Sequence, residues 1–179
     1  MSASQPDRDK AEAEIVWSGR FIEAKRLGKW EFVSRTRGIS AAAILAVDEG
    51  HVILVEQYRV PIAARCLELP AGLVGDQEQG EEAATAAIRE LVEETGYRAE
   101  RVVDLGRFHA SPGMSSEGFT LLRAEGLTKV GQGGGVEGED IAVHRVPLAQ
   151  VPAFVAERRA AGVAIDVKLL LLLSPGLLP

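Results

Sequence analysis

Gly75-Asp76-Gln77-Glu78-Gln79-Gly80-Glu81-Glu82-Ala83-Ala84-Thr85-Ala86-Ala87-Ile88-Arg89-Glu90-Leu91-Val92-Glu93-Glu94-Thr95-Gly96-Tyr97 decides how the chain is read, because a loop there leads into an acidic helix that a glycine stops. From Glu81 to Thr95 most residues are strong helix formers. Glu81 and Glu82 suit the macrodipole in the first turn, and Gly96 supplies a C-terminal stop. The segment is expected to be a helix of about four turns. Ala84, Ala87, Ile88, Leu91 and Val92 recur at spacings of three and four, an apolar stripe that can lie on a sheet as core. Glu90, Glu93 and Glu94 then share one side. Like charges at that spacing cost roughly a few tenths of a kcal/mol per pair, so the acids form a solvated face or hold cations between them. Hard divalent ions such as Mg2+ take oxygen ligands, commonly one or two carboxylates completed by water and substrate phosphates.

At 179 residues the chain has the length of one domain with a full core. Apolar residues at 46% and charged residues at 26% are ordinary for a globular protein. A net charge of -6 lacks the basic footprint that nucleic acid or an anionic membrane requires as a main partner. An anionic nucleotide is still admitted once metal ions neutralise the local field. The single Cys66 rules out an intramolecular disulfide and a cysteine zinc cluster, and its setting reads as a buried strand. The polar N-terminus has no apolar stretch of the secretory kind, which makes a cytoplasmic location the expectation. Leu169 to Leu173 is too short a run to span a membrane. His51, His109 and His144 are dispersed, without ligand spacing, and read as packing or surface residues.

Residues 15–26 and 29–37 alternate apolar with polar around Leu27-Gly28, the pattern of a β-hairpin. Ala41–Val47 and His51–Tyr58, joined at Asp48-Glu49-Gly50, make a second hairpin. Cys66–Leu69 reads as a short strand ending at Pro70. Beyond the acidic helix, strands are expected at 101–109, 119–124 and 141–146, and helices at 148–161 and across most of 163–173. Ser111-Pro112-Gly113 breaks the chain between strands, and residues 125–139 form a long Gly- and Glu-rich loop. Strands mixed with helices predict an α/β/α sandwich with a mixed sheet, preceded by an N-terminal β-hairpin layer. The expected division is 1–38 for the tail and hairpin and 39–179 for the main domain.

The full spacing of Gly75, Glu81, Arg89-Glu90, Leu91, Glu93-Glu94, Gly96 and Tyr97 resembles the Nudix box at every fixed position, although Tyr97 stands where a smaller aliphatic residue is commoner. The resemblance implies a divalent-metal hydrolase of nucleoside diphosphates linked to another moiety. Glu90 and Glu94 would be the main metal ligands, Glu93 a further ligand or a bridge to one, and Arg89 would pair with Glu81 to brace the helix. Leu67-Glu68-Leu69-Pro70-Ala71-Gly72 is similar to a run in the ADP-ribose pyrophosphatase branch, where the carbonyl at the position of Ala71 adds a metal ligand. Glu56-Gln57-Tyr58-Arg59 resembles the same branch and puts Arg59 on the substrate. Trp30-Glu31-Phe32-Val33-Ser34-Arg35 resembles the segment that supplies an adenine-stacking tryptophan and a substrate-binding arginine, often from a neighbouring subunit. Phe21 falls where a second aromatic would stand, and hairpin aromatics also serve as core or dimer interface. Ala110-Ser111-Pro112-Gly113-Met114-Ser115-Ser116-Glu117 is similar to the loop beneath the terminal ribose, with Met114 and Glu117 as contacts.

Gly131-Gln132-Gly133-Gly134-Gly135 does not make a phosphate-cradling motif and reads as flexibility for the acidic loop that follows. In the resembling enzymes a glutamate on that loop is the general base. Glu139 is the best match and Glu137 the reserve. The implied activity is hydrolysis of ADP-ribose to AMP and ribose 5-phosphate with two or three Mg2+ or Mn2+ ions, by a homodimer with exchanged N-terminal hairpins. GDP-mannose or a UDP-sugar is the alternative substrate, and a nucleotide-binding module without turnover is the alternative class.

Overall fold

A computed structural model describes residues 12–36, 39–75 and 82–173 of the chain. The first unit is an antiparallel sheet of three strands, β1 (Glu14–Ser18), β2 (Ile22–Leu27) and β3 (Trp30–Arg35). Residues 15–26 were expected to form one arm of a hairpin, but they hold two strands. Gly19 N–H donates to the Ile22 carbonyl at 2.9 Å and closes a turn between them. Alternation alone cannot show such a break, because it looks the same on both sides of a short turn.

The main body begins with β4 (Ser40–Asp48) and β5 (His51–Arg59), joined at Glu49 and Gly50, which both have positive φ as a tight two-residue hairpin turn requires. These strands pair only near the turn, at Val47–Val52 and Asp48–His51. Beyond it they splay. β4 takes β7 (Ala71–Val74) as its partner and β5 takes β6 (Ala64–Glu68), so the chain from Glu68 to Ala71 crosses the gap between them. Ile44 N–H, donating to the Pro70 carbonyl at 2.8 Å, pins that crossing. The following elements are α1 (Ala83–Thr95), β8 (Tyr97–Arg98), β9 (Arg101–Phe108), β10 (Phe119–Glu125), β11 (Thr128–Lys129), β12 (Ala142–Pro147), α2 (Val151–Ala160), β13 (Ala164–Ile165) and α3 (Leu170–Leu173). Strand order is β13-β6-β5-β4-β10-β9, with β10 parallel to β4, β13 parallel to β6 and the other pairs antiparallel.

Period-two alternation in β4 builds the sandwich. Ala42, Ile44 and Ala46 face one side and pack with Ala86, Ala87 and Leu91 of α1. Ala43 and Leu45 face the other and pack with Val151 and Val155 of α2 and with Leu169 and Leu172. A strand buried on both faces needs apolar residues at every position, which is why Ala41–Val47 reads as an unbroken run.

Residues 163–173 are not mainly one helix: β13 is followed by a 3-10 turn, Val167–Leu169, and then by α3. Asp166 starts the turn by accepting from Lys168 N–H at 2.7 Å, and the β-branched Val163 and Ile165, before and within β13, favour a strand pairing that a helix would forfeit. The core face of α1 is likewise rotated from the expected stripe. Ala86, Ala87, Leu91, Glu94 and Thr95 are buried, whereas Ala84, Ile88 and Val92 are only half-buried. Small alanines let the helix approach the alanines of β4 closely, and that approach decides which side turns inward. Glu82 is the N-cap of α1, without a side-chain cap bond, instead of a first-turn residue.

Candidate active site

The rotation of α1 carries its acids toward the sheet. Glu94 is 6% exposed, and its Oε2 accepts from Ala71 N–H at 3.0 Å. Burial pushes its carboxyl up to about 8, the Glu90 charge adds to the rise, and the Ala71 N–H and Arg59 oppose it. Glu90 lies one turn earlier, folded over Gly72 so closely that a Cβ there would sit 2.1 Å from Glu90 Cγ. Arg89 Nη1 donates to Glu90 Oε1 at 2.7 Å and lies 3.6 Å from Glu93 Oε2. Glu81, the expected partner of Arg89, lies outside the described residues. Gly72→Ala is expected to displace Glu90 and cost about 1–3 kcal/mol, read as a fall in the urea midpoint with unchanged m-value.

Among the described residues no three His, Cys, Asp or Glu side chains converge into a ready-made metal cage. The hard oxygens that meet at the turn are the Glu94 and Glu90 carboxylates, with the Ala71 N–H bonded to Glu94 at the head of β7. A buried carboxyl whose neighbour is a second carboxylate fits a divalent cation, which reverses the cost of ionising both. Such ions commonly take only part of their shell from protein.

In front of this turn opens a cavity of about 600 Å3, walled in part by Arg35, Arg59, Glu68, Ala71, Gly72 and Glu117. Arg59 donates to Glu68 through Nε at 2.6 Å and Nη2 at 2.7 Å, a two-pronged pair anchored on a carboxylate only 5% exposed. The arginine itself stays 43% exposed. Arg35 Nε donates to Glu117 Oε1 at 2.5 Å. The loop carrying Glu117 is stitched to β3, with Val33 N–H donating to the Met114 carbonyl and Ser116 N–H to the Val33 carbonyl, both at 2.9 Å. Trp30, Phe21 and Met114 do not line the cavity; their side chains are 53%, 50% and 64% exposed. Trp30 and Arg35 are five residues apart on β3, so their side chains leave opposite faces of that strand.

The glycine run has another role than the expected flexibility. Gly134 and Gly135 donate their N–H groups to the carbonyls of Glu94 and Glu93 at 2.8 and 3.0 Å, and Val130 and Gly131 donate to the Gly96 carbonyl. These bonds satisfy the open carbonyls of the last helical turn. A Cβ on Gly133 would lie 2.4 Å from the backbone carbon of Thr95. The glycines therefore allow backbone-to-backbone docking, and Gly133→Ala would strain both partners. Past this dock Glu139 is exposed, with its Oε2 accepting from Val136 N–H at 3.0 Å, close enough to Glu94 to raise that carboxyl further. Glu137 is also exposed. Asp140 ends the loop on Arg65, whose Nη1 donates to it at 2.8 Å and whose Nε donates to the buried Glu56 at 3.0 Å. His144 packs against Phe154 and lies 3.4 Å from Glu56, and burial lowers its pKa. His51 and His109 bond to the carbonyls of Glu49 and Glu117.

Residues 36–164 match the NUDIX domain family. The chain belongs to the Nudix domain family. A methanol dehydrogenase activator of Bacillus methanolicus is 33% identical over 157 residues, covering 82% of each chain. An ADP-ribose pyrophosphatase of Bacillus subtilis is 44% identical over 89 residues, 49% of this chain and 46% of that protein, so the match spans just under half of the relative. A solved structure described as an ADP compounds hydrolase superposes with a TM-score of 0.67 over 90% of this chain and 89% of that one, at 24% identity, which speaks for the fold.

On this Nudix scaffold, sequence reasoning missed Glu68, Asp166 and Lys168 as cavity residues. Glu68 was legible in principle, since an acid two residues before Pro70 on a strand paired with the one carrying Arg59 can meet that arginine. Asp166 and Lys168 left no signal, because only the β13–β6 pairing brings the C-terminal segment to the cavity.

Proposed function

We propose that this Nudix protein hydrolyses the diphosphate of ADP-ribose to AMP and ribose 5-phosphate, and does so with divalent metal. The observation that carries the reading is the meeting of the Ala71-Gly72 turn, backed by Glu90 and Glu94, with Arg35 and Arg59 at one cavity. Glu90, Glu94 and the Ala71 carbonyl, with Glu93, would hold two or three Mg2+ or Mn2+ ions. When bound, these supply Lewis-acid charge against the diphosphate. Arg89 braces Glu90 and Glu93 from behind. Arg59, steadied by Glu68, grips phosphate oxygens with its remaining donors, and Arg35 does the same beside Glu117. Glu139 takes the proton of the attacking water, and Glu137 is the reserve. Support for ADP-ribose comes from the Bacillus subtilis relative of that name.

Trp30 and Phe21 reach a cavity only in a homodimer, where they stack on the adenine held by the partner subunit. Residues 1–38 form the dimerising and substrate-edge layer, and 39–179 form the hydrolase domain. What supports the dimer is the apolar surface of the N-terminal sheet, where Ile15, Val16, Trp17 and Trp30 are each more than half exposed. Met114 and Glu117 lie under the terminal ribose. No described helix is long and apolar enough to cross a membrane, and the free, buried Cys66 suits the cytoplasm.

Incubating the protein in Mg2+ with ADP-ribose, GDP-mannose and UDP-sugars, with AMP, GMP and UMP release followed, tests the substrate. AMP release should dominate, and a preference for GMP or UMP would move the substrate to another sugar nucleotide. Trp17→Glu is expected to shift the sedimentation profile from dimer to monomer and to lower activity, because it places a charge in the apolar sheet surface.

A further inference from the structure

The cavity wall holds a charged pair that the hydrolytic reading leaves without a task. Asp166 and Lys168, at the 3-10 turn after β13, line the cavity together with Phe119 and Ala110. Lys168 Nζ donates to Asp166 Oδ2 at 2.7 Å, and the two side chains are only 14% and 21% exposed, the lysine being the more buried. Three contacts hold them in place. Asp166 N–H donates to the Leu67 carbonyl at 3.0 Å, which ties it to the strand ending in Glu68. Its Oδ1 accepts from Lys168 N–H at 2.7 Å. The Lys168 ammonium lies 5.4 Å from the centre of the Phe119 ring, which stacks on Phe108.

A lone lysine in such a wall would serve as a phosphate anchor. Here Asp166 already balances its charge, and a phosphate brought to the ammonium would also meet the carboxylate. What the pair offers instead is a cationic donor beside an anionic acceptor, fixed in one geometry. Hydroxyl groups donate and accept at once, so adjacent hydroxyls of a sugar satisfy both members together.

We propose that Asp166 and Lys168 form a sugar-recognition subsite that reads the hydroxyls of the group on the far phosphate and so determines which nucleoside diphosphate sugar is accepted. The subsite deepens the hydrolytic reading and rests on it for the identity of the substrate. Calorimetric titration of the full chain in excess Mg2+ with ribose 5-phosphate, and separately with AMP, tests it without requiring turnover. Lys168→Gln and Asp166→Asn should each weaken ribose 5-phosphate by about tenfold to a hundredfold, the worth of hydrogen bonds to charged groups, and leave AMP within about twofold. The double variant should lose little more than either single one, since the two act as a unit. With ADP-ribose, the KM of Lys168→Gln should rise while kcat holds. Equal weakening of both ligands, an unchanged affinity for ribose 5-phosphate, or no binding of it by the wild type overturns the proposal. Asp166→Asn keeps the oxygen that starts the turn, and should that variant unfold, Lys168→Gln decides alone. AMP release from ADP-ribose by a Lys168→Gln protein with undiminished ribose 5-phosphate binding sinks the subsite only. Binding through Lys168 in a wild type that releases no AMP sinks the hydrolytic reading only.

Discussion

Glu94→Gln is expected to abolish metal-dependent turnover, lowering kcat by about a thousandfold or more, and at the same time to make the metal-free protein more stable above neutral pH. The first effect follows from removing a charged oxygen where several kcal/mol of Lewis-acid stabilisation would be anchored. The second follows from burial. The folded chain holds the Glu94 proton up to about 8, whereas the ordinary value is 4.5. Between those values the unfolded chain binds fewer protons than the folded one, so wild-type stability falls as pH rises through that window. The substituted side chain carries no charge to bury, and its amide oxygen can still accept from Ala71 N–H. The variant's advantage should therefore be absent below about pH 4.5, grow as pH rises, and level off above about pH 8 at a few kcal/mol or less. Thermal melts without metal across pH 5–9 measure this, and in Mg2+ the wild type alone should gain stability. A variant that melts below the wild type at pH 8, or that keeps its turnover, would remove Glu94 from the metal site.

Glu139→Gln should lower kcat by about a hundredfold to ten-thousandfold, the range for loss of a general base, with little change in substrate affinity. The side chain sits beyond the glycine dock, bonded to Val136 N–H on its own loop. The dock and the Arg65–Asp140 pair hold the two ends of the loop. Single-turnover rates with pre-bound substrate separate chemistry from binding. An unchanged rate would transfer the role to Glu93 or Glu137. A parallel loss in affinity would mean that Glu139 supports the substrate and does not take the proton.

The two variants draw on different kinds of information. Glu94 was legible in the chain because its spacing from Glu90 and Glu93 is local, and a helix converts local spacing directly into shared position. The β4–β5 hairpin was legible for the same reason, since Asp48-Glu49-Gly50 is a turn signal between two apolar runs. The inward rotation of α1 was not, because an amphipathic pattern containing Ala84, Ala87, Ile88 and Val92 allows neighbouring orientations that differ by about 100°. Close packing of alanine on alanine chose between them, and it buried Glu94 in the process. The glycine run misled in a related way, for glycine permits both mobility and close approach, and only the position of the α1 terminus shows which is used.

By itself the sequence determined the acidic helix, its glycine stop, the apolar runs of the second hairpin and the strand that ends at Pro70. Each of these is set by residues within a few positions of one another. Tertiary structure alone decided that β4 and β5 splay to admit the Pro70 crossing, that Arg59 meets Glu68, and that Asp166 and Lys168 arrive at the cavity from the far end of the chain. Those contacts depend on strand pairing across long separations, where the order of residues constrains reach but not register.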